Sequence, residues 1–302
     1  MSVHYNKKDD ILLNNNNVIP EKKENVMYRN DLSQIKKIKQ NTKKEDYILF
    51  TGQRYEYKNF KNFIKAVAPL LIRYNLRFIC TGQDFTKNEI ILLNKYKIQD
   101  RTISKYVFEE ELQDIYAKAL IFVFPSLYEG FGFPILEAFA SGCPAVLSNT
   151  SCFPEIAEDA AIYFDPYSVE DMREKIKKVL LDSDLQTSLI EKGYERVKFF
   201  SWEKTVKQTF QLYSDVLYTP SPYNKTRYII TVFDMIHENF SECFTNKDKT
   251  ISNKYLVMRK ANKIITISKN TKMDIIKYYP DMDDNKIEVI YLGTSFNRRS
   301  YT

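Results

Sequence analysis

From Asp46 onward the chain alternates short apolar runs with segments whose apolar residues recur at helical spacing. YILFTG reads as a buried strand, 59–73 as a helix and RFICT as a strand; a second helix, a short strand near Ile103, a helix over 109–118 and the strand IFVFP follow. After Pro134 come a short helix, the strands AVLSN and AIYFD, and three helices, the last over about 202–217. Strands that are apolar at every position are covered on both faces, and regular strand–helix alternation is how a parallel sheet is connected. The pattern predicts an α/β fold, a Rossmann-like doubly wound parallel sheet over 46–218.

The flanks read differently. Residues 1–45 are polar, contain the run Asn14 to Asn17, and predict a low-order lead-in or linker. TPSPYN at 219–224 marks a boundary. Beyond it RYIITVF, KIITIS and KIEVIYLG read as strands, and ISNKYLVMRKA and KNTKMDIIKYY as helices. That predicts a partial second Rossmann-like α/β unit over 219–302, only 84 residues long.

Charge narrows the function. The net charge of +6 sits at the two ends: residues 46–218 carry 21 basic and 24 acidic groups. A nucleic-acid binder concentrates Lys and Arg on its core module, so that class is excluded. No apolar stretch reaches the roughly 18 residues of a membrane span, and the N-terminus lacks an apolar secretory segment, so a cytoplasmic protein is expected. Cys80, Cys143, Cys152 and Cys243 have neither disulfide nor zinc spacing and read as buried apolar residues. The Asp182-Ser183-Asp184 and Asp281-Met282-Asp283 triplets read as turn chemistry; no metal and no cofactor is expected.

The chemistry concentrates in FVFPSLYEGFGFPILEAFASGCPAVLSN. A strand ends at Pro125, a loop carries Glu129, Gly130, Phe131 and Gly132, and Pro134 opens a short helix that contains Glu137. Glycines let the backbone approach a ligand, and a helix start offers unpaired N–H groups to an anion. Such a loop at the carboxyl end of a parallel strand is where open α/β sheets bind ligands.

The spacing E-x7-E from Glu129 to Glu137, within PSLYEGFGFPILEAFASGCP and followed by SNTSCFPEIAEDAAIYFDP, resembles the nucleotide-sugar-binding half of the family 4 glycosyltransferases, retaining enzymes of GT-B fold. The resemblance covers essentially all of 46–218. It implies that Glu137 accepts hydrogen bonds from the ribose hydroxyls, and that Glu129 with the amides of Gly130, Phe131 and Gly132 contacts the transferred sugar. Upstream, TGQRYEYKNF resembles the turn that faces the diphosphate, which carries over Gly52, Arg54 and Lys58. Glu129, Arg54 and Lys58 are the candidate catalytic groups. The substrate would be a nucleotide diphosphate sugar and the acceptor a glycan or lipid-linked glycan.

Residues 227–293 resemble the end of the acceptor-side domain, which in that family ordinarily precedes the nucleotide-sugar domain. The order here is reversed, and the first part of the acceptor domain has no counterpart. A piece of a tandem enzyme acting with other glycosyltransferase modules, a rearranged or truncated product, and a permutant all remain open. Asp234 and His237 are candidate cleft residues. Lys254, Arg259, Lys260 and Lys263 form a basic face, read either as a peripheral contact with an anionic membrane or as a solvated surface. A nucleotide-sugar-binding remnant without catalysis is the alternative function, and an epimerase of the same architecture fits the flanks less well.

Overall fold

The computed structural model describes Asp31 and residues 33–35, 44–218, 227–244 and 248–296; the asparagine run and the TPSPYN boundary lie outside the described residues. Six strands, β1 (Tyr47–Thr51), β2 (Arg77–Thr81), β3 (Thr102–Lys105), β4 (Ile121–Phe124), β5 (Ala145–Ser148) and β6 (Ala161–Phe164), form one parallel sheet in the order β3-β2-β1-β4-β5-β6. The connections carry α1 (Phe60–Tyr74), α2 (Lys87–Lys95), α3 (Glu109–Lys118), α4 (Phe133–Ala140) and α5 (Phe153–Ala157). After β6 come α6 (Val169–Leu181), α7 (Ser183–Val197) and α8 (Trp202–Tyr218). This is the doubly wound parallel sheet that the apolar runs predict.

Alternation along each strand divides the core in two. Ile48 and Phe50 pack with Phe60 and Phe63 of α1 and Ile176 of α6 on one face. Tyr47, Leu49, Phe122 and Phe124 pack with Ile135 and Phe139 of α4 and Phe153 of α5 on the other. Each of these large side chains contributes about 1.5–3 kcal/mol by leaving water. The core thus holds the carboxyl ends of β1 and β4 side by side.

A second parallel sheet, β7 (Ile229–Val232), β8 (Lys263–Thr266) and β9 (Ile287–Val289), has the order β7-β8-β9 and carries α9 (Ile236–Asn239), α10 (Thr250–Lys260) and α11 (Lys269–Tyr278). Its core interlocks with the first. Ile267 joins the cluster around α4 and β4, Tyr128 joins the cluster around β7 and β8, and Leu212 of α8 packs on Ile265 and Ile290. Glu155 of α5 accepts hydrogen bonds from the Lys269 and Asn270 amides at the start of α11, at 2.7 and 3.1 Å, and from the Tyr291 hydroxyl at 2.7 Å. A carboxylate at a helix N-terminus satisfies donors that the helix itself cannot.

Several details depart from the sequence reading. In the stretch expected to be a lead-in, Asp31, Ile35 and Lys44 are buried, and the Tyr74 hydroxyl donates to Asp31 at 2.9 Å. KIEVIYLG pairs as a strand only over Ile287–Val289, because the following backbone turns to α8, where Thr205 Oγ1 donates to the Tyr291 carbonyl at 2.7 Å. Cys243 is exposed, unlike the three buried cysteines. The basic face is divided: Lys254 turns inward onto Glu238 at 2.9 Å, while Lys263 belongs to β8 and pairs with Glu288 at 2.9 Å. In keeping with the turn chemistry expected of the two acidic triplets, Asp182 accepts from the Leu185 amide at the start of α7, and Asp283 from the Asn285 amide. Among the described residues no helix is long and apolar enough to cross a membrane.

Lys44 yields a stability prediction. Its ammonium donates to the carbonyls of Ala117 at 2.7 Å and Gly142 at 2.9 Å, near the ends of α3 and α4, and burial holds its pKa below the ordinary lysine value. Lys44→Met leaves both carbonyls without this donor, so urea unfolding is expected to show a loss of about 1–3 kcal/mol. An unchanged midpoint would show that the helix ends do not depend on this cation.

Candidate active site

Strand order makes the site. β2 and β3 extend from β1 in one direction and β5 and β6 extend from β4 in the other, so the crevice between the carboxyl ends of β1 and β4 is the switch point of the sheet. Two loops meet there. One follows β1 through Gly52, whose φ of +100° suits a residue without Cβ. The other follows β4 through Ser126 to Gly132.

The first loop tightens into a helical turn over Glu56–Lys58, then passes Asn59 at φ 56° into α1. Asn tolerates this left-handed conformation better than most residues, and the buried Asn59 side chain donates to the Pro166 carbonyl at 2.7 Å. Lys58 is thereby fixed. Its ammonium lies 2.5 Å from Glu129 Oε1, both side chains being 14% exposed, and 5.5 Å from the centre of the Phe124 ring.

The second loop is gripped from several sides. The Leu127 amide donates to the Tyr57 carbonyl at 2.7 Å. Ser151 Oγ donates to the Glu129 carbonyl at 2.7 Å and accepts from the Glu129 amide at 3.2 Å. Gly130 faces the other unit: a Cβ there would collide with the Phe233 carbonyl oxygen and crowd Asp234. Gly132, at φ +98°, precedes α4, and Pro134 is the second helical residue rather than the first. Phe131 is buried against Phe200 and Tyr291.

Glu137 is the half-buried acid of a helix otherwise packed into the core. Tyr116, fully buried, donates its hydroxyl to Glu137 Oε2 at 2.9 Å and lies 3.0 Å from Thr51 Oγ1. Burial, with the Glu137 charge adding, holds the Tyr116 phenol far above its ordinary pKa, so it stays a donor. Thr51, Tyr116 and Glu137 thus form a polar ladder from the end of β1 to α4. Burial and the charges of Glu129 and Asp234 push the Tyr57 phenol up to about 12.

The structure therefore brings Gly52, Lys58, Glu129, Gly130, Phe131, Gly132 and Glu137 to the ends of adjacent strands, with Asp234 beside them. Arg54 is tied to the β2 side of the sheet edge, and His237 lines a depression together with Phe233, Asp234 and Lys254. The Arg54 guanidinium binds Glu89 at 2.6 Å and donates to the carbonyls of Gln83 and Asp84 at 2.7 and 2.8 Å. An open depression of about 700 Å³ beyond Arg54 is walled by Tyr55, Asn59, Phe60, Glu89 and Leu92, not by Lys58 or Glu129. His237 stacks on Phe244 at 4.0 Å and approaches Asp248 at 3.4 Å. Sequence pattern did not single out Thr51, Tyr128 or Ser151; an aromatic beside the loop acid was the only visible sign of the second.

The family model described as "Glycosyl transferases group 1" matches residues 32–196. O-antigen chain mannosyltransferase B of Escherichia coli is 32% identical over 178 residues, covering 56% of this chain and 46% of that protein. O-antigen chain mannosyltransferase RfbU of Salmonella typhimurium is 31% identical over 180 residues, covering 59% and 50%. The chain spans about half the length of these curated relatives. Among solved structures, sucrose-phosphate synthase from Thermosynechococcus elongatus superposes with a TM-score of 0.52 at 22% identity, over 62% of this chain and 51% of that one. A glycosyltransferase from Rickettsia africae gives 0.52 at 17%, over 62% and 53%. These likenesses show the fold, a GT-B-type α/β architecture.

The Arg54 cluster predicts a pH effect. Burial opposes the Glu89 charge, but hydrogen bonds from Arg54 and Thr86 outweigh it and hold its pKa below the ordinary glutamate value. A lowered folded pKa means that the stabilisation is complete above the unfolded value, about 4.3, and is lost as pH falls through the folded one. Glu89→Gln is expected to flatten the acid side of the melting-temperature profile. An acid limb as steep as that of the unsubstituted chain would contradict it.

Proposed function

This chain belongs to the group 1 glycosyl transferases, and from that premise we propose that it binds a nucleotide diphosphate sugar at the switch point and transfers the sugar, with retention, to a glycan or lipid-linked acceptor. Mannose is the first donor sugar to test, because two relatives are mannosyltransferases. The observation that carries the reading is the Lys58–Glu129 pair beside the Thr51–Tyr116–Glu137 ladder.

Each group has a role that its chemistry suits. Glu137, oriented by the Tyr116 hydroxyl, accepts from the two ribose hydroxyls, since a carboxylate is a double acceptor for a vicinal diol. Lys58 faces the diphosphate. Breaking the glycosidic bond leaves an additional negative charge on that group, and a preoriented cation stabilises it most where water is excluded. Glu129 holds the ammonium in place before the substrate arrives and, with the amides of the Gly130–Gly132 loop, contacts the donor sugar. Arg54, engaged by Glu89, Cys80 and two carbonyls, braces the loops after β1 and β2 rather than touching the phosphates. No step in this reading uses a metal.

One observation favours a second reading, donor binding without transfer by this chain alone. Among the described residues the second sheet has three strands, with β7 at its edge and Phe233 and Tyr228 exposed beside it. An unpaired strand edge is ordinarily covered. Release of nucleoside diphosphate with and without added acceptor separates the two readings.

Glu137→Ala is expected to weaken binding of a mannose nucleotide by about 1.5–3 kcal/mol, the scale of hydrogen bonds to a charged group. Lys58→Met is expected to weaken the nucleoside diphosphate while leaving the nucleoside unchanged. Calorimetric titration checks both. Unchanged dissociation constants would assign Glu137 to the fold and Lys58 to its partner alone.

A further inference from the structure

We propose that Tyr128 is a positioning residue through which the three-stranded unit sets the donor-sugar end of the site; this rests on the role given above to Glu129. Consecutive residues of the loop after β4 alternate between the two units. Leu127 is tied to the Tyr57 backbone and Glu129 to Lys58, both on the β1 side. Tyr128 and Gly130, between and beyond them, face the other way. Gly130 abuts the Phe233 carbonyl. The Tyr128 ring is 6% exposed and packs with Val232, Met235, Met258 and Ile264, all residues of the three-stranded unit.

Polar contacts fix the ring as well. The Tyr128 hydroxyl donates to Asp274 Oδ2 of α11 at 2.7 Å and accepts from the Met235 amide at 3.2 Å. Asp274 is itself held by the Asn270 side chain at 3.1 Å. The phenol is therefore plugged into a foreign core and hydrogen-bonded in two directions. Tyr128 and Glu129 share a peptide bond, so a shift of the ring moves the backbone that carries the Glu129 carboxylate and the Gly130 and Phe131 amides. Glu137 is insulated from this movement, because α4 and Tyr116 anchor it in the first core. The unit that supplies the acceptor side of the cleft thus also governs the grip on the donor sugar, but not on the nucleoside.

Two measurements on the full chain test this with Tyr128→Phe, Asp274→Ala and the conservative Asp274→Asn. Hydrogen exchange of the ligand-free protein reads the loop directly. Tyr128→Phe and Asp274→Ala are expected to speed exchange over 127–132 on the order of fivefold without changing 133–140, and Asp274→Asn, which keeps an acceptor, to restore the slow rate. Titration then compares a mannose nucleotide with the matching nucleoside monophosphate. The first two variants are expected to weaken only the former, on the order of fivefold. Unchanged loop exchange, or an equal rise over 133–140, overturns the coupling. Faster loop exchange in a chain that binds no nucleotide sugar even without substitution supports the coupling and overturns the donor reading instead.

Discussion

Lys58 and Glu129 can pair only because β1 and β4 are neighbours in the sheet while 71 residues separate the two side chains in sequence. The reversal of strand order at that point leaves a crevice that neighbouring helices cannot fill, and both loops enter it from strands buried on both faces. The apolar core is therefore what sets the polar geometry. Phe122 and Phe124 on one face and Ile48 and Phe50 on the other hold β1 and β4 in register, and the charged groups stand on their ends.

That arrangement sorts the cations by burial partner. Lys58 has one carboxylate and two aromatic rings near it, so its charge faces the crevice with a single competitor. Arg54 has a carboxylate, two backbone carbonyls and the Cys80 sulfur, and recruiting it to a phosphate would cost all four contacts. The second unit adds a constraint of another kind. Its core includes Tyr128, and its α11 takes an end cap from Glu155, so the two sheets exchange anchors in both directions. These anchors tie the loop that carries Glu129 to both sheets.

Much of this was legible in the residues themselves. Unbroken apolar runs announced the parallel sheet, and the glycines, proline and paired acids of YEGFGFPILE announced the loop and helix that β4 delivers to the crevice. Lys58 and Arg54 were both singled out by the resemblance of TGQRYEYKNF to a diphosphate-facing turn. Arg54 could not be separated from Lys58 by pattern, since its fate depends on Glu89, 35 residues away on α2. Lys44 looked like one more charge in a polar stretch; only the tertiary fold brings the carbonyls of Ala117 and Gly142 to it. Tyr128 read as part of a motif, and its insertion into a second core is a property of how two sheets meet, which local sequence does not encode.

The roles proposed for Glu137, Lys58 and Glu129 depend on where a nucleotide sugar sits. Crystals of the full chain grown with a nucleoside diphosphate sugar measure this directly. The ribose is predicted on the Glu137 carboxylate, the diphosphate against Lys58 and the sugar at the Glu129–Gly132 loop, with Arg54 still on Glu89. A nucleotide lodged in the depression beyond Arg54, among Tyr55, Asn59 and Glu89, would contradict it.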